Sequence, residues 1–479
     1  MRGVVAAGNP HTAEAAASVL RAGGNAVDAL VAGALASFVA EPLLASAGGS
    51  GMMTVALPGQ DPVVIDFFSA MPGLDRPSDA PPMDFESIEI DFGAASQIFH
   101  IGRASAAPPL AFPGLAHAAT HFGTQSLEEL TAPAIGLAER GCPLTDEAAE
   151  VFRLLWPINL RTEECQTSYS DSDAPPRPGS CRPMPGMAAV LRRFAEHGGT
   201  PPEFQQALLE HFGPAAGGAI TETDLANAKP RVVAPRTLRI GHWEVLASPR
   251  LGGKLLGLIA GTLAEGHVSL DEATEAVRHA EACRAGTRAK SDERAFGSTT
   301  HLSVIDAQGG AAAATLTNGE GCGHVIPGTQ IQLNNFCGEE DLHPGGFFDH
   351  APGTALPSMI APTIVRGPES SVLALGSGGA NRIRSVVSQV LYRVCCLGQP
   401  LEEAVFAPRV HAEESSVWLE MEDRHDHHGI VEALNERFEH VYSFPFRAFF
   451  FGGVHAVLAQ NGEVIGAGDP RRGGAVVRA

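Results

Sequence analysis

Apolar and polar positions follow two rhythms along this chain, and the change from one to the other divides it. Residues 4–7 are a short apolar run that predicts a strand. Residues 12–21 are Ala-rich and predict a helix stopped by Gly23-Gly24. Asn25 offers a capping side chain for a second helix reaching about Val39, which Pro42 closes. Gly48-Gly49-Ser50-Gly51 then turns the chain into a strand over 52–57, and Pro58-Gly59-Gln60-Asp61 returns it through a second over 63–68. Helical spacing recurs over 126–140, 188–196, 203–212 and 270–285, while the Pro- and Ser-rich stretch 167–185 reads as an exposed loop.

From Thr299 onward the strand rhythm dominates. Leu302 and Val304 share one face of a strand over 301–306, with His301, Ser303 and Ile305 on the other. Gln308-Gly309-Gly310 returns the chain through 311–317, and Asn461-Gly462 joins 454–458 to 463–465 as a hairpin. The polar segment 287–294, just before the change, is the best place for an exposed, cleavable linker. Helices mostly first and strands around the middle predict a layered α+β fold without internal repeats.

Composition narrows the function. A chain of 479 residues is long enough for about three domains by length alone. Acidic residues outnumber basic ones 54 to 33, which works against a nucleic-acid groove and fits a small-molecule substrate. The most apolar stretch, 26–39, contains Asp28 and is too short to span a bilayer, so no membrane partner is expected. Met1-Arg2-Gly3-Val4 opens no secretory signal, and a cytoplasmic location is expected. The eight cysteines form no CxxC pair and no zinc spacing, and read as small buried apolar residues in a reducing compartment. Neither metal nor cofactor is expected.

Chemistry gathers around Gly297-Ser298-Thr299-Thr300-His301. A threonine hydroxyl is a weak nucleophile that needs a nearby base. If the bond before Thr299 is cut, the freed α-amine supplies that base, with a reference pKa of about 7.7–8.0. Taken alone, Thr-Thr at a strand start is ordinary β-propensity. The surrounding motifs change that weighing. Thr315-Leu316-Thr317-Asn318, Ile326-Pro327-Gly328-Thr329, Leu333-Asn334-Asn335, Pro357-Ser358-Met359, Gly376-Ser377-Gly378-Gly379-Ala380-Asn381 and Gly468-Asp469-Pro470-Arg471 follow in order. With Ala22-Gly23-Gly24-Asn25-Ala26-Val27-Asp28-Ala29 in the first half, the chain closely resembles the γ-glutamyltranspeptidases from about residue 3 to 475.

The resemblance implies a four-layer αββα sandwich of the N-terminal nucleophile hydrolase type. It also implies autocleavage between Ser298 and Thr299 into paired large (1–298) and small (299–479) fragments. Thr299 would be the nucleophile, Thr317 the hydroxyl that positions it, and the N–H groups of Gly379 and Ala380, after Gly378, the oxyanion hole. The substrate end departs from the family. Where typical members read D-F-R-E-x-A-P, this chain has Asp66-Phe67-Phe68-Ser69-Ala70-Met71-Pro72, so Phe68 replaces the arginine that grips a carboxylate. Of the paired serines only Ser358 remains. After Leu333-Asn334-Asn335 the nearest carboxylate for an ammonium is Glu339, then Glu340, with Asn318 beside the family's asparagine position. Only 17 residues separate Glu339 from Pro357, too few for a long lid. Arg103 could substitute for the lost arginine but reads better as a surface residue, and His425-Asp426-His427-His428 as a solvated helix start.

The expected activity is an amide hydrolase or acyltransferase acting through Thr299 on a small amino-acid-derived substrate. Two alternatives stand beside it. One is a C–C bond hydrolase of the same family in antibiotic biosynthesis; the other is an inactive paralogue with a binding role.

Overall fold

Two antiparallel sheets stack face to face and place strands from both ends of the chain side by side. The computed structural model describes residues 1–91, 96–266, 271–287, 298–343, 345–422 and 424–479. The first sheet has seven strands in the order Ala475–Arg478, Gly3–Ala7, Thr299–Asp306, Ala311–Thr317, Ser50–Ala56, Val63–Phe67, Arg231–Val233. The second has six, in the order Glu463–Gly468, Gly453–Gln460, Val372–Gly378, Thr363–Arg366, Trp243–Ala247, Arg236–Ile240. The strand Gly3–Ala7 is thus held between two strands that lie after Ser298, pairing Val5 with Val304 on one side and Val477 on the other.

Side-chain alternation explains the layers. Leu302 and Val304 point into the core shared with helices Pro10–Arg21 and Ala26–Ala40, whereas Ile305 meets Ile364, Ala374 and Val457 between the sheets. His301 and Ser303 also face the second sheet, where His301 Nδ1 lies 2.8 Å from Thr315 Oγ1 and Nε2 lies 2.9 Å from Ser303 Oγ. Small residues let the sheets approach: a Cβ at Gly376 would lie 2.3 Å from the His301 ring. On the far face, helices Leu251–Glu265 and Arg382–Cys395 cover the second sheet with Leu256, Ile383, Val386 and Val390. The result is the four-layer αββα sandwich.

The helix Ala26–Ala40 is buried along its whole length, so its N-terminus needs internal partners. Asn25 accepts from the N–H groups of Val27 and Asp28, and Asp28 reciprocates to the N–H of Asn25, a complete capping box. Asp28 also binds the Thr124 hydroxyl at 2.6 Å, which tethers the next helical layer. The expected loop 167–185 is shorter than its composition predicts. Thr162 caps a helix Glu163–Tyr169 by accepting from the N–H of Cys165, and Cys181–Arg182 pairs with Cys142–Pro143. The expected helix over 270–285 runs Glu272–Thr287, and the rest of the expected linker lies outside the described residues. All eight cysteines are free. Among the described residues no helix is long and apolar enough to cross a membrane.

Candidate active site

Thr299 opens its strand opposite Thr317, the last residue of the neighbouring strand, so antiparallel register alone brings the two hydroxyls together. Thr299 Oγ1 donates to Thr317 Oγ1 at 3.3 Å, and Thr317 Oγ1 donates in turn to the Ser298 carbonyl at 2.7 Å. The N–H of Gly319 donates to the same Thr317 oxygen at 3.1 Å, so its one proton and its lone pairs are all committed. Both threonines are buried. One side chain therefore contacts both the hydroxyl of Thr299 and the carbonyl of the preceding peptide bond.

The facing wall comes from the second sheet. The strand Val372–Gly378 ends against Thr299, where a Cβ on Gly378 would lie 2.1 Å from the Thr299 carbonyl oxygen. Only glycine permits that approach. Gly379 (φ +117°) and Ala380 (φ +46°) then turn the chain into the helix Arg382–Cys395. A left-handed alanine costs about 1–2 kcal/mol, strain of the kind that clusters at functional turns. The turn's N–H groups lie at the positive end of a 14-residue helix.

A narrow, partly open cleft at this junction is lined by Phe68, Thr299, Thr317, Glu339, Ser358 and Ala380, with Asp341, Leu342, Met359, Ile360 and Ile383. Ala380 is the residue of the glycine turn that lines it. Asn318 departs from expectation: it is fully buried outside this lining, beside Gly49, and its amide has no hydrogen-bond partner among the described residues. Glu340 begins the short turn Glu340–Leu342 next to the cleft-lining Glu339 and Asp341.

A group of carboxylates gathers at one end of the cleft. Glu320 accepts from the N–H of Ser298 at 3.3 Å, and Asn335 Oδ1 accepts from the N–H of Glu320 at 2.8 Å. Burial, with Asp341 adding repulsion, pushes the Glu320 carboxyl up to about 8. Burial followed by the charges of Glu320 and Asp341 raises Glu339 well above the ordinary carboxylate range. Asp341 is held by Asn381 Nδ2 at 3.1 Å, which connects the acidic end to the turn at Gly379. Glu320 and Asp341 were not singled out from sequence. The signal available was Gly319-Glu320-Gly321-Cys322-Gly323, a charge set in a glycine-rich turn immediately after Thr317.

The other end is aromatic. Phe68 packs on Phe336 with ring centroids 4.9 Å apart. A guanidinium does stand nearby, Arg250 lying 5.5 Å from the Phe68 centroid, but it is engaged with Asp66 at 2.8 Å and with the carbonyls of Leu356 and Phe68. Ser358 is buried and accepts from the N–H of Ile360 at 3.3 Å. Arg103 pairs with Asp84 at 3.1 Å. Asp426 caps the helix His427–Asn435, with His428 in solvent.

A strand-borne threonine facing a glycine turn across two packed sheets, inside an αββα sandwich, defines the architecture of an N-terminal nucleophile hydrolase. The structure of the cephalosporin acylase from Bacillus halodurans superposes over 99% of this chain and 95% of its own, with TM-score 0.82 and 23% identity. The chain belongs to the γ-glutamyltranspeptidase family, whose model matches residues 12–291 and 267–479. The Acylase ACY 1 proenzyme of Pseudomonas sp. (strain SE83) is 29% identical over 97% of this chain and 91% of its own length. The Glutathione hydrolase proenzyme of Pseudomonas aeruginosa is 29% identical over 85% of this chain and 82% of its own. The chain is thus an enzyme of a family that includes hydrolases and acylases.

Proposed function

We propose that this enzyme cuts its own chain before Thr299 and then uses Thr299 as the N-terminal nucleophile of an amide hydrolase or acyltransferase. The observation that carries the reading is the Thr317 hydroxyl, which bonds both Thr299 Oγ1 and the Ser298 carbonyl. In the precursor, Thr299 Oγ1 attacks the Ser298 carbonyl carbon, and the acyl group moves from nitrogen to oxygen. Water then cleaves the ester, leaving residues 1–298 and 299–479 paired and the Thr299 amine free. That amine takes the hydroxyl proton as Thr299 attacks the substrate carbonyl, and returns it to the leaving amine. The N–H groups of Gly379 and Ala380 stabilise the oxyanion, a contribution of several kcal/mol for such preorganised donors. Water or a second amine releases the acyl group.

The two ends of the cleft define the acyl group. Glu320, Glu339 and Asp341 suit an ammonium, whose positive charge relieves their mutual repulsion. Phe68 provides no carboxylate grip, and Arg250 is committed to Asp66. An acyl group carrying an ammonium and no α-carboxylate fits better than an ordinary γ-glutamyl group. Denaturing electrophoresis should show two fragments for the wild type and one band for Thr299→Ala; a single wild-type band refutes the reading. Among 4-nitroanilides, the 4-aminobutanoyl compound should turn over faster than the γ-glutamyl one, and the glutaryl one, which lacks the ammonium, slowest. The reverse order refutes the assignment of the two ends.

A further inference from the structure

Two adjacent arginines near the C-terminus have different surroundings. Arg471 is satisfied: it reaches Glu420 Oε1 at 2.7 Å and Oε2 at 2.5 Å, Asp469 Oδ1 at 3.1 Å, and the carbonyls of Val405 and Ala407. Asp469 Oδ2 is taken by Arg409 at 2.7 Å and by the N–H of Val454. Arg472 is 5% exposed, yet its Nε and Nη1 find no hydrogen-bond partner among the described residues. Its guanidinium carbon lies over the Phe449 ring, 3.8 Å from the centroid. Burial lowers its pKa to about 9, with repulsion from Arg382 adding and Asp469 opposing.

A buried cation with unsatisfied donors is costly, and such groups in a native fold call for a reason. The geometry supplies one. Arg472 Nη2 lies 3.6 Å from the point where a side chain would begin on Gly379, and Gly452 Cα is 3.1 Å from the same point. Gly453 leaves room for the arginine stem, since a Cβ there would lie 2.6 Å from Arg472 Cβ. The charge is therefore packed against Gly379, the residue after Gly378, which itself lies against the Thr299 carbonyl.

We propose that Arg472 is a positioning residue for the oxyanion hole, acting through Gly379: it braces the turn against Gly452 and holds positive potential behind the N–H groups where negative charge develops. This rests on the reading of Thr299 as nucleophile and of Gly379 and Ala380 as oxyanion donors. A cation behind fixed donors favours the charged tetrahedral state over the neutral ground state, so its removal should reduce kcat and leave KM largely unchanged.

The test uses the full-length protein with Arg472→Met and Arg472→Lys. For each, kcat and KM are measured on the best anilide, together with the inhibition constant of butylboronic acid, which forms a tetrahedral anion on a threonine oxygen. The Met variant should lose about tenfold or more in kcat and a parallel factor in boronate affinity, with KM within about threefold and unchanged melting temperature. The Lys variant should recover most of both. Full kcat and boronate affinity in Arg472→Met, or equal losses in both variants, would overturn the proposal. Should the Met variant not fold, Arg472→Lys decides alone: boronate affinity within about threefold of wild type supports the charge, and a tenfold loss with normal melting refutes it. Thr299→Ala separates the levels. Activity surviving there sinks the underlying reading, whereas its loss, beside an unaffected Arg472→Met, sinks only this one.

Discussion

Thr317 carries more of the site than its small side chain suggests. Replacing it by valine keeps the shape but strands the Ser298 carbonyl and the Thr299 hydroxyl without their partner. An unmet buried hydrogen bond costs roughly 1–3 kcal/mol, so Thr317→Val should slow both self-cleavage and turnover by about ten- to a hundredfold. Gel densitometry over time and kcat check this, and Thr317→Ser should restore most of the loss. Glu320 gives a pH signature. Burial pushes its carboxyl up to about 8 in the fold, from an ordinary value of 4.5. The folded state therefore binds the extra proton between those values, and the stability it contributes is full below about 4.5 and lost as pH rises toward 8. Glu320→Gln should melt with a flatter dependence from pH 5 to 8 than the wild type; an unchanged slope refutes the shifted carboxyl. Residue by residue, the sequence motifs picked out Thr299, Thr317 and Gly379 in family order, and the structure brings Thr299 beside Thr317. Glu320 and Asp341 were not picked out, because a carboxylate's meaning depends on what buries it. Asn318, adjacent to Thr317 in sequence, is buried outside the cleft lining, and its proposed contact to an ammonium rests on the family resemblance alone.

Among the elements, those with strong local punctuation were read well. Asn25 announced the start of the helix Ala26–Ala40, and Asn461-Gly462 announced its hairpin. Asn25→Ala should cost about 1 kcal/mol, measured as a lower urea midpoint with an unchanged slope. The helix Glu163–Tyr169 was hidden inside a Pro- and Ser-rich composition, since one cap and one turn outweigh the average of a long window. The end of the strand Val372–Gly378 is the most constrained backbone at the site. Gly378→Ala places a methyl 2.1 Å from the Thr299 carbonyl oxygen, so the strand and Thr299 cannot both keep their positions. That variant should remain uncut on denaturing gels, and normal processing would show that the two sheets yield more readily than their packing implies.

At the scale of the molecule, the αββα layering followed from the family resemblance, whereas pairing between residues hundreds of positions apart has no local signature. Strands from both sides of Ser298 pair within each sheet: in the first, Gly3–Ala7 lies between two later strands and Ala311–Thr317 pairs with Ser50–Ala56, and in the second Thr363–Arg366 pairs with Trp243–Ala247. The two fragments should therefore co-elute on size exclusion after cleavage and separate only in denaturant. Separation under native conditions would refute the interleaved arrangement as a lasting clamp.

The position of Gly3–Ala7 between two strands of the later region has a further consequence for the enzyme's life history. Before the cut, the first sheet assembles within one chain, and its cost is loop closure, which grows only slowly with length. After the cut, reassembly requires two separate molecules to meet, so refolding becomes second order and dilution works against it. The proposed cleavage before Thr299 would then act as a ratchet, freeing the Thr299 amine while removing the intramolecular route back to the native state. The working lifetime of the mature enzyme is set by how slowly it unfolds, and the uncut chain serves as its own folding template, used once.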